Sequence, residues 1–392
     1  MSGASPSACR SPPNRERCAC ASSPATAAGA APPPPTPSNS TPAPQTGVDS
    51  RFRRCYQRPM ARAVANPPDP DSAPPPAVAL AYRLTARPVR EVEALLEGVV
   101  RSPVQLIPEI SHHLIGAGGK RIRPLLLLLC EQACGGEGRG VPLAAAAELI
   151  HSATLLHDDV VDRGHLRRGV PAAPRVFGNS ACVLVGDYLL AQAYDLVIRN
   201  ADRALLLDLS RVLSGMAEGE ILQLVRSGRA ALSLDEYVRI IAGKTAGLFS
   251  WCCRAGASLP APAMGEPAAA FGLAFGMAFQ IGDDILDYTA DPTQSGKDLA
   301  NDLAQGKTTL PLLLACEEDP GLIERVEAAA RDPEEGAARD ILERVLATQA
   351  VNRAREEARR FADEAREHLA RLPASAERDA LQSLARFLVE RV

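Results

Sequence analysis

From about residue 77 to the C terminus, apolar residues recur every three to four positions, the spacing that gives a helix one buried face. The pattern predicts helices over 79–100, 103–116, 123–134, 142–161, 179–199, 203–225, 233–255, 267–288 and 310–316. The last 70 or so residues read as Ala/Arg/Glu-rich helices broken at Pro333 and Pro373. Strand-like alternation bounded by turn residues is absent, and no repeat of 20–50 residues recurs. The reading is all-α, with one large domain over 77–392. Gly272 and Gly276 lie four apart on the 267–288 helix and would let another helix approach closely. The longest uncharged stretch, 267–282, is short for a membrane span and contains Gln280, so it reads as a buried core helix.

Residues 1–76 differ in kind. They hold 18 of the 33 prolines, with many Ala, Ser and Thr. Such a segment buries too little apolar surface to offset its ordering entropy, so it is expected to be a disordered leader. Its charges are almost all Arg; Glu16 and Asp49 are the only acids before Asp69. It reads either as an organelle transit peptide or as an extension upstream of a true start at Met60. No apolar signal-peptide core is present, which argues against secretion. The expected location is cytoplasmic, or mitochondrial or plastid if the leader is a transit peptide.

Composition narrows the chemistry. Net charge is −4 at pH 7, so nothing global points to nucleic acid. Ten cysteines form no CxxC pair and no Cys/His zinc spacing, and they read as reduced thiols of an intracellular protein. Only four of the 43 basic residues are lysine: Lys120, Lys244, Lys297 and Lys307. In a chain that otherwise uses arginine, each lysine marks a place where a compact, rotatable point charge suits better than a planar fork.

The chemistry centres on Leu155-Leu156-His157-Asp158-Asp159-Val160-Val161-Asp162, closed by Arg167-Arg168. Asp158 and Asp162 stack one helical turn apart, with Asp159 beside them. Three like charges that close raise one another's pKa and call for a cation. A second cluster, Asp283-Asp284-Ile285-Leu286-Asp287, ends another long apolar helix. If the two helices run side by side in the same direction, both clusters meet at one rim. Carboxylate oxygens suit Mg²⁺, which keeps waters and takes substrate phosphates for its remaining positions. Calcium is the weaker candidate, because no glycine-bearing EF-hand loop surrounds the acids.

Gly118-Gly119-Lys120-Arg121-Ile122-Arg123-Pro124 is a glycine turn opening a helix, where backbone N–H groups and the helix dipole favour an anion. Lys120 and Arg123 point to a diphosphate held without metal. Arg167 and Arg168 are placed to clamp phosphate oxygens. Lys244-Thr245, Lys297 and Lys307 complete the set, the last two each following a glycine. Lysines aimed at a departing diphosphate stabilise its growing charge. His151, two turns before Asp158, reads as a core histidine or as part of this site. Glu220 and Gln223 read as ordinary interior polar groups.

Taken together, GGKRIRP, LLHDDVVDRGHLRRG, GDYLLAQA, AGKTAGLF, FQIGDDILDYTAD, SGKDLANDLAQGKTTLP and the terminal FLVERV resemble the trans-isoprenyl diphosphate synthases, the polyprenyl synthetases. The resemblance runs from about residue 85 to 392 and is strongest to long-chain octaprenyl and decaprenyl members. It implies the isoprenoid synthase fold, a helical bundle around a deep central cavity, as a homodimer. It implies prenyltransferase activity that joins an allylic diphosphate to isopentenyl diphosphate with three Mg²⁺. Carried over by position, Asp158, Asp159 and Asp162 would hold two magnesiums, and Asp283, supported by Asp284 and Asp287, the third. Arg167, Lys244 and Lys297, with Lys307 nearby, would hold the allylic diphosphate. Lys120, Arg123, His151 and Arg168 would hold isopentenyl diphosphate. Thr245 and Gln280 would steady the allylic cation.

Two departures stand out. Val170-Pro171-Ala172-Ala173-Pro174 replaces the polar residue and threonine usual after Arg168-Gly169, and Arg163 stands where many relatives carry an acid or a small residue. For chain length, Ala153 and Thr154 lie one turn below Asp158, where short-chain relatives place aromatics, and Ala191 and Ala193 lie opposite. With no aromatic plug, a product on the order of eight to ten isoprene units is expected by analogy, for a quinone side chain. The alternatives are a geranylgeranyl- or farnesyl-type synthase, a class I terpene cyclase, and a non-catalytic subunit of a heteromeric synthase. A cyclase would carry an Asn/Ser/Glu second motif, and an inactive subunit would have lost an aspartate motif or the basic set. Membrane association for product release is a further expectation.

Overall fold

The computed structural model describes residues 75–115, 120–167, 170–230, 232–289, 301–332 and 336–392, all within one compact unit. The proposed leader, apart from its last two residues, lies outside them.

The chain begins with α1 (Pro76–Leu84), α2 (Ala86–Val99), α3 (Leu106–Ile115), α4 (Ile122–Ala133) and α5 (Val141–Val161). A minimal hairpin follows, β1 (Leu166–Arg167) against β2 (Val170–Pro171), with Leu166 opposite Pro171. Two-residue strands are too short to show the alternation that marks a strand in sequence. Next come α6 (Ala173–Phe177), α7 (Asn179–Asn200), α8 (Arg203–Arg226) and α9 (Leu234–Ile241). A π-helical segment (Ala242–Ala246) joins α9 to α10 (Gly247–Ser258), and a short 3₁₀ turn leads into α11 (Gly265–Thr289). The chain ends with α12 (Asn301–Ala304), α13 (Leu310–Glu318), α14 (Gly321–Arg331), α15 (Ala337–Ala347), α16 (Ala350–Leu369) and α17 (Ala376–Glu390).

Two helices expected to be continuous are divided. The 79–100 segment breaks at Thr85, because Pro88 has no N–H for the carbonyl four residues back and its ring would strike it. The 233–255 segment keeps its direction but inserts the π turn. An apolar periodicity read over one or two turns cannot distinguish that from an α-helix.

Four helices, α4, α5, α10 and α11, are buried on nearly all sides and form the centre; Leu125 to Leu129 on α4 are almost inaccessible. The expected core helix over 267–282 is therefore found in α11. Around this centre, α16 lies along α11 through the stripe Ala350, Ala354, Ala358, Ala362 and Ala365, whose small side chains permit a short interaxial distance. Cys130, Cys252 and Cys253 are buried free thiols, and burial pushes the Cys252 thiol up to about 12, so it is unreactive.

The glycine pair on α11 does what its spacing suggested. A Cβ at Gly272 would stand 2.5 Å from the Phe249 carbonyl oxygen, and one at Gly276 2.5 Å from the Ala246 Cα. Gly276→Ala is expected to cost about 1–3 kcal/mol by overpacking. It should also lower turnover, because Ala246 ends the π segment that carries Lys244 and Thr245. Denaturant melts and initial rates measure both effects.

Candidate active site

The first cluster sits where α5 stops. Arg163 takes a left-handed conformation at φ 52°, and the Gly164 N–H reaches back to the Asp159 carbonyl at 3.3 Å. This is a Schellman-type ending with arginine where glycine is usual, a local cost of roughly 1–2 kcal/mol. It turns the chain so that the following hairpin folds back over the helix end. Arg167 then meets Asp159, donating from Nε at 2.8 and 3.0 Å and from Nη2 at 2.7 Å. Asp162 accepts from the Lys307 ammonium at 2.7 Å. Asp158 is set deeper. Burial pushes its carboxyl from the usual 3.8 up to about 6, although Lys244 pulls the other way.

The second cluster ends α11. Asp283 pairs with Arg391 of the C-terminal dipeptide at 2.8 Å, and Arg391 also donates to the Phe279 carbonyl at 3.2 Å. Asp284 is 3% exposed, and burial pushes its carboxyl up to about 7, assisted by the charge of Asp302. Asp287 accepts from the Asp302 backbone N–H at 3.1 Å.

Asp284 of the second cluster borders a cavity of about 190 Å³. Its walls include Lys244, Thr245, Gln280, Asp284, Asp302 and Lys307. Lys307 spans the gap, lining this cavity beside Asp284 while holding Asp162 of the other motif. Lys244 also reaches across, from the π segment towards Asp158. Burial acts to lower its pKa, but Asp158 and Glu220 outweigh that, so the ammonium is kept charged. Its Nζ donates to Gln223 Oε1 at 2.8 Å and pairs with Glu220. Thr245 donates to Gln280 Oε1 at 2.8 Å.

At the start of α4, Arg121 adopts φ 41° and turns inward. It donates to Glu93 and to Glu148, each at 2.7 Å. Lys120 is left exposed, its carbonyl held by the Tyr82 hydroxyl. The Arg123 guanidinium lies 4.5 Å from the Phe249 ring centroid, and its Nε is buried without a hydrogen-bond partner among the described residues. Burial lowers its pKa. A half-buried cation with a spare buried donor suits an anion. His151 is half-buried on α5, and its carbonyl accepts from the Thr154 hydroxyl at 2.9 Å. Ala153 is fully buried between α5 and its neighbours, Ala193 is likewise buried, and Ala191 is exposed. Arg168, Lys297 and the glycines 118–119 lie outside the described residues.

Three carboxylates end α5 and three end α11, Lys307 links the two ends, and burial raises the pKa of Asp158 and Asp284; together they form a hard-oxygen donor set. That set fits a divalent cation. Among the described residues no three acidic, His or Cys side chains converge on one point. Arg167, Lys307 and Arg391 face the aspartates instead.

Glu220 and Gln223 gain a role that sequence reading had not given them, since both hold Lys244; their i, i+3 spacing on one face of α8 was the available signal. Tyr237 and Arg391 were missed entirely. Each reaches its aspartate from a distant part of the chain, which no spacing rule reveals.

The polyprenyl synthetase family model matches residues 104–347. The chain belongs to the polyprenyl synthetase family. It is 38% identical over 315 residues to the octaprenyl diphosphate synthase of Escherichia coli K12, covering 79% of this chain and 97% of that one. It is 40% identical over 300 residues to the all-trans-nonaprenyl-diphosphate synthase (geranyl-diphosphate specific) of Rhodobacter capsulatus, covering 75% and 91%. A polyprenyl synthase from Caulobacter crescentus CB15, solved with calcium and isoprenyl diphosphate, superposes with a TM-score of 0.76 at 40% identity, covering 80% and 97%. The other polyprenyl synthetases similar to this chain include the decaprenyl diphosphate synthase of Rhodobacter capsulatus, with a TM-score of 0.75 at 36% identity, covering 80% and 99%.

Proposed function

We propose that this protein is an all-trans polyprenyl diphosphate synthase that adds successive isopentenyl diphosphates to an allylic diphosphate, to a length of about C40–C50. The observation that carries the reading is the link that Lys307 makes between the two aspartate-bearing helix ends, contacting Asp162 of one and lining the cavity beside Asp284 of the other. The long product is supported by the names of the similar proteins and by Ala153, a small residue at a buried position below Asp158.

Asp158, Asp159 and Asp162 on one side, and Asp283, Asp284 and Asp287 on the other, would hold magnesium, three ions by family analogy. When bound, the metal neutralises diphosphate charge and so favours ionisation of the allylic C–O bond. The protein's own part is to bind and orient. Lys244, Lys307 and Arg167 face the departing diphosphate, where negative charge grows. The Thr245 and Gln280 oxygens steady the allylic cation. Lys120, Arg123 and His151 hold isopentenyl diphosphate, whose double bond attacks that cation. The proton released goes to the departed diphosphate.

The enzyme is also proposed to work as a homodimer. Leu184 and Ile198 on α7 and Ile221 and Leu224 on α8 are large apolar residues about 60% exposed or more, Leu224 at 59%. Light scattering should give twice the monomer mass, and Leu184→Glu with Ile198→Glu should halve it.

Incubation of this chain alone with farnesyl diphosphate, isopentenyl diphosphate and Mg²⁺, followed by product sizing, tests the reading. Long all-trans products are expected. Products confined to C15–C20 would establish the short-chain alternative, and no turnover the non-catalytic one.

A further inference from the structure

The cavity wall contains a chain of hydrogen bonds that runs in one direction when Asp284 is a carboxylate. The Tyr237 hydroxyl, on α9, donates to Asp284 Oδ2 at 2.8 Å. Gln280 Nε2 donates to Asp284 Oδ1 at 2.8 Å. The Thr245 hydroxyl donates to Gln280 Oε1 at 2.8 Å. Tyr237 and Asp284 are each 3% exposed, so no solvent competes for their oxygens.

Each link determines the next. As a carboxylate, Asp284 can only accept, so Gln280 must turn its NH₂ towards the oxygen that faces it. Its carbonyl oxygen then faces Thr245. A carbonyl cannot donate, so the Thr245 hydroxyl must give its only proton to it. What remains on Thr245 Oγ1 is lone-pair density. Thr245 and Gln280 both line the cavity, beside Lys244. Thr245 lies in the π segment, next to Lys244 on the same cavity wall.

We propose that Tyr237 is a positioning residue for the condensation. By occupying Oδ2 it fixes the carboxyl of Asp284, hence the amide of Gln280, hence the polarity of the Thr245 hydroxyl, which offers an electron pair and not a proton to a cation forming in the cavity. The proposal rests on the prenyl-transfer reading above. In the absence of the Tyr237 hydroxyl, the Asp284 carboxyl is free to rotate, the Gln280 amide loses its fixed orientation, and the Thr245 hydroxyl turns its proton into the cavity part of the time. Ionisation then slows, while the lysine and arginine contacts to the diphosphates, made by other residues, are unchanged.

The test is a double-mutant cycle in the full-length enzyme. Tyr237→Phe keeps the ring, and its kcat should fall about 10–100-fold with KM for both diphosphates within twofold of wild type. Thr245→Val keeps the shape and should lose at least as much. In the Thr245→Val background, Tyr237→Phe should cost nothing further, because its effect runs through a hydroxyl that is no longer there. Losses that multiply, or a Tyr237→Phe kcat within threefold of wild type, overturn the proposal while leaving the reaction assignment in place. An inactive wild-type enzyme overturns both. If Tyr237→Phe fails to fold, Gln280→Leu tests the next link: it should add no loss in the Thr245→Val background, and an additional loss overturns the proposal.

Discussion

Asp158→Ala is expected to lower turnover by at least about 10³-fold at saturating Mg²⁺ while folding as well as the wild type, or better. The loss of rate follows from the place of Asp158 at the end of α5 beside the Lys244 ammonium, which lines the cavity. The gain or retention of stability follows from burial. A carboxyl whose pKa is raised from 3.8 to about 6 is held at a cost of about 3 kcal/mol once ionised. The sign is that of an acid binding its proton more tightly in the folded state. Folding is unpenalised below about pH 4, and the penalty grows as pH rises through about 6. In metal-free buffer at pH 7 the alanine variant should therefore melt at or above the wild-type temperature, with the advantage vanishing near pH 4. Product formation within tenfold of wild type would remove Asp158 from the metal site.

Ala153→Phe should shorten the product. Ala153 lies five residues before Asp158, about 8 Å along the helix axis, and is fully buried in the wall that α5 shares with α7. A polyprenyl chain growing away from the aspartates passes this level early. A phenyl group there occupies the path, at an overpacking cost of about 1–3 kcal/mol. Reversed-phase sizing should show a shift to short products with the first condensation rate little changed. An unaltered length distribution in a folded variant would mean that the tail runs elsewhere.

The all-α architecture was legible because its signal is local: apolar spacing, glycine turns and prolines act within one or two turns of chain. The two aspartate motifs were legible for the same reason, since each lies within five residues of one helix end. The scarcity of lysine singled out Lys244 and Lys307, which stand at the cavity. Other features were hidden. The Thr85 break and the π segment change helix geometry without changing helical periodicity enough to read. Arg121 sits between two residues proposed to bind a diphosphate and was indistinguishable from them by spacing. Its left-handed backbone turns it away, onto Glu93 and Glu148.

By itself, then, the sequence determined the fold class, the family and the reaction, because covalent neighbours carry those signals. Only the tertiary structure decided which groups meet. Tyr237 reaches Asp284 across 47 residues, Arg391 reaches Asp283 across 108, and Lys307 reaches Asp162 across 145. Such pairings depend on how the helices pack, and helix packing is set by buried shape, in particular by Gly272, Gly276 and the alanine stripe of α16. Contacts between groups so far apart in sequence leave no periodic trace in the chain.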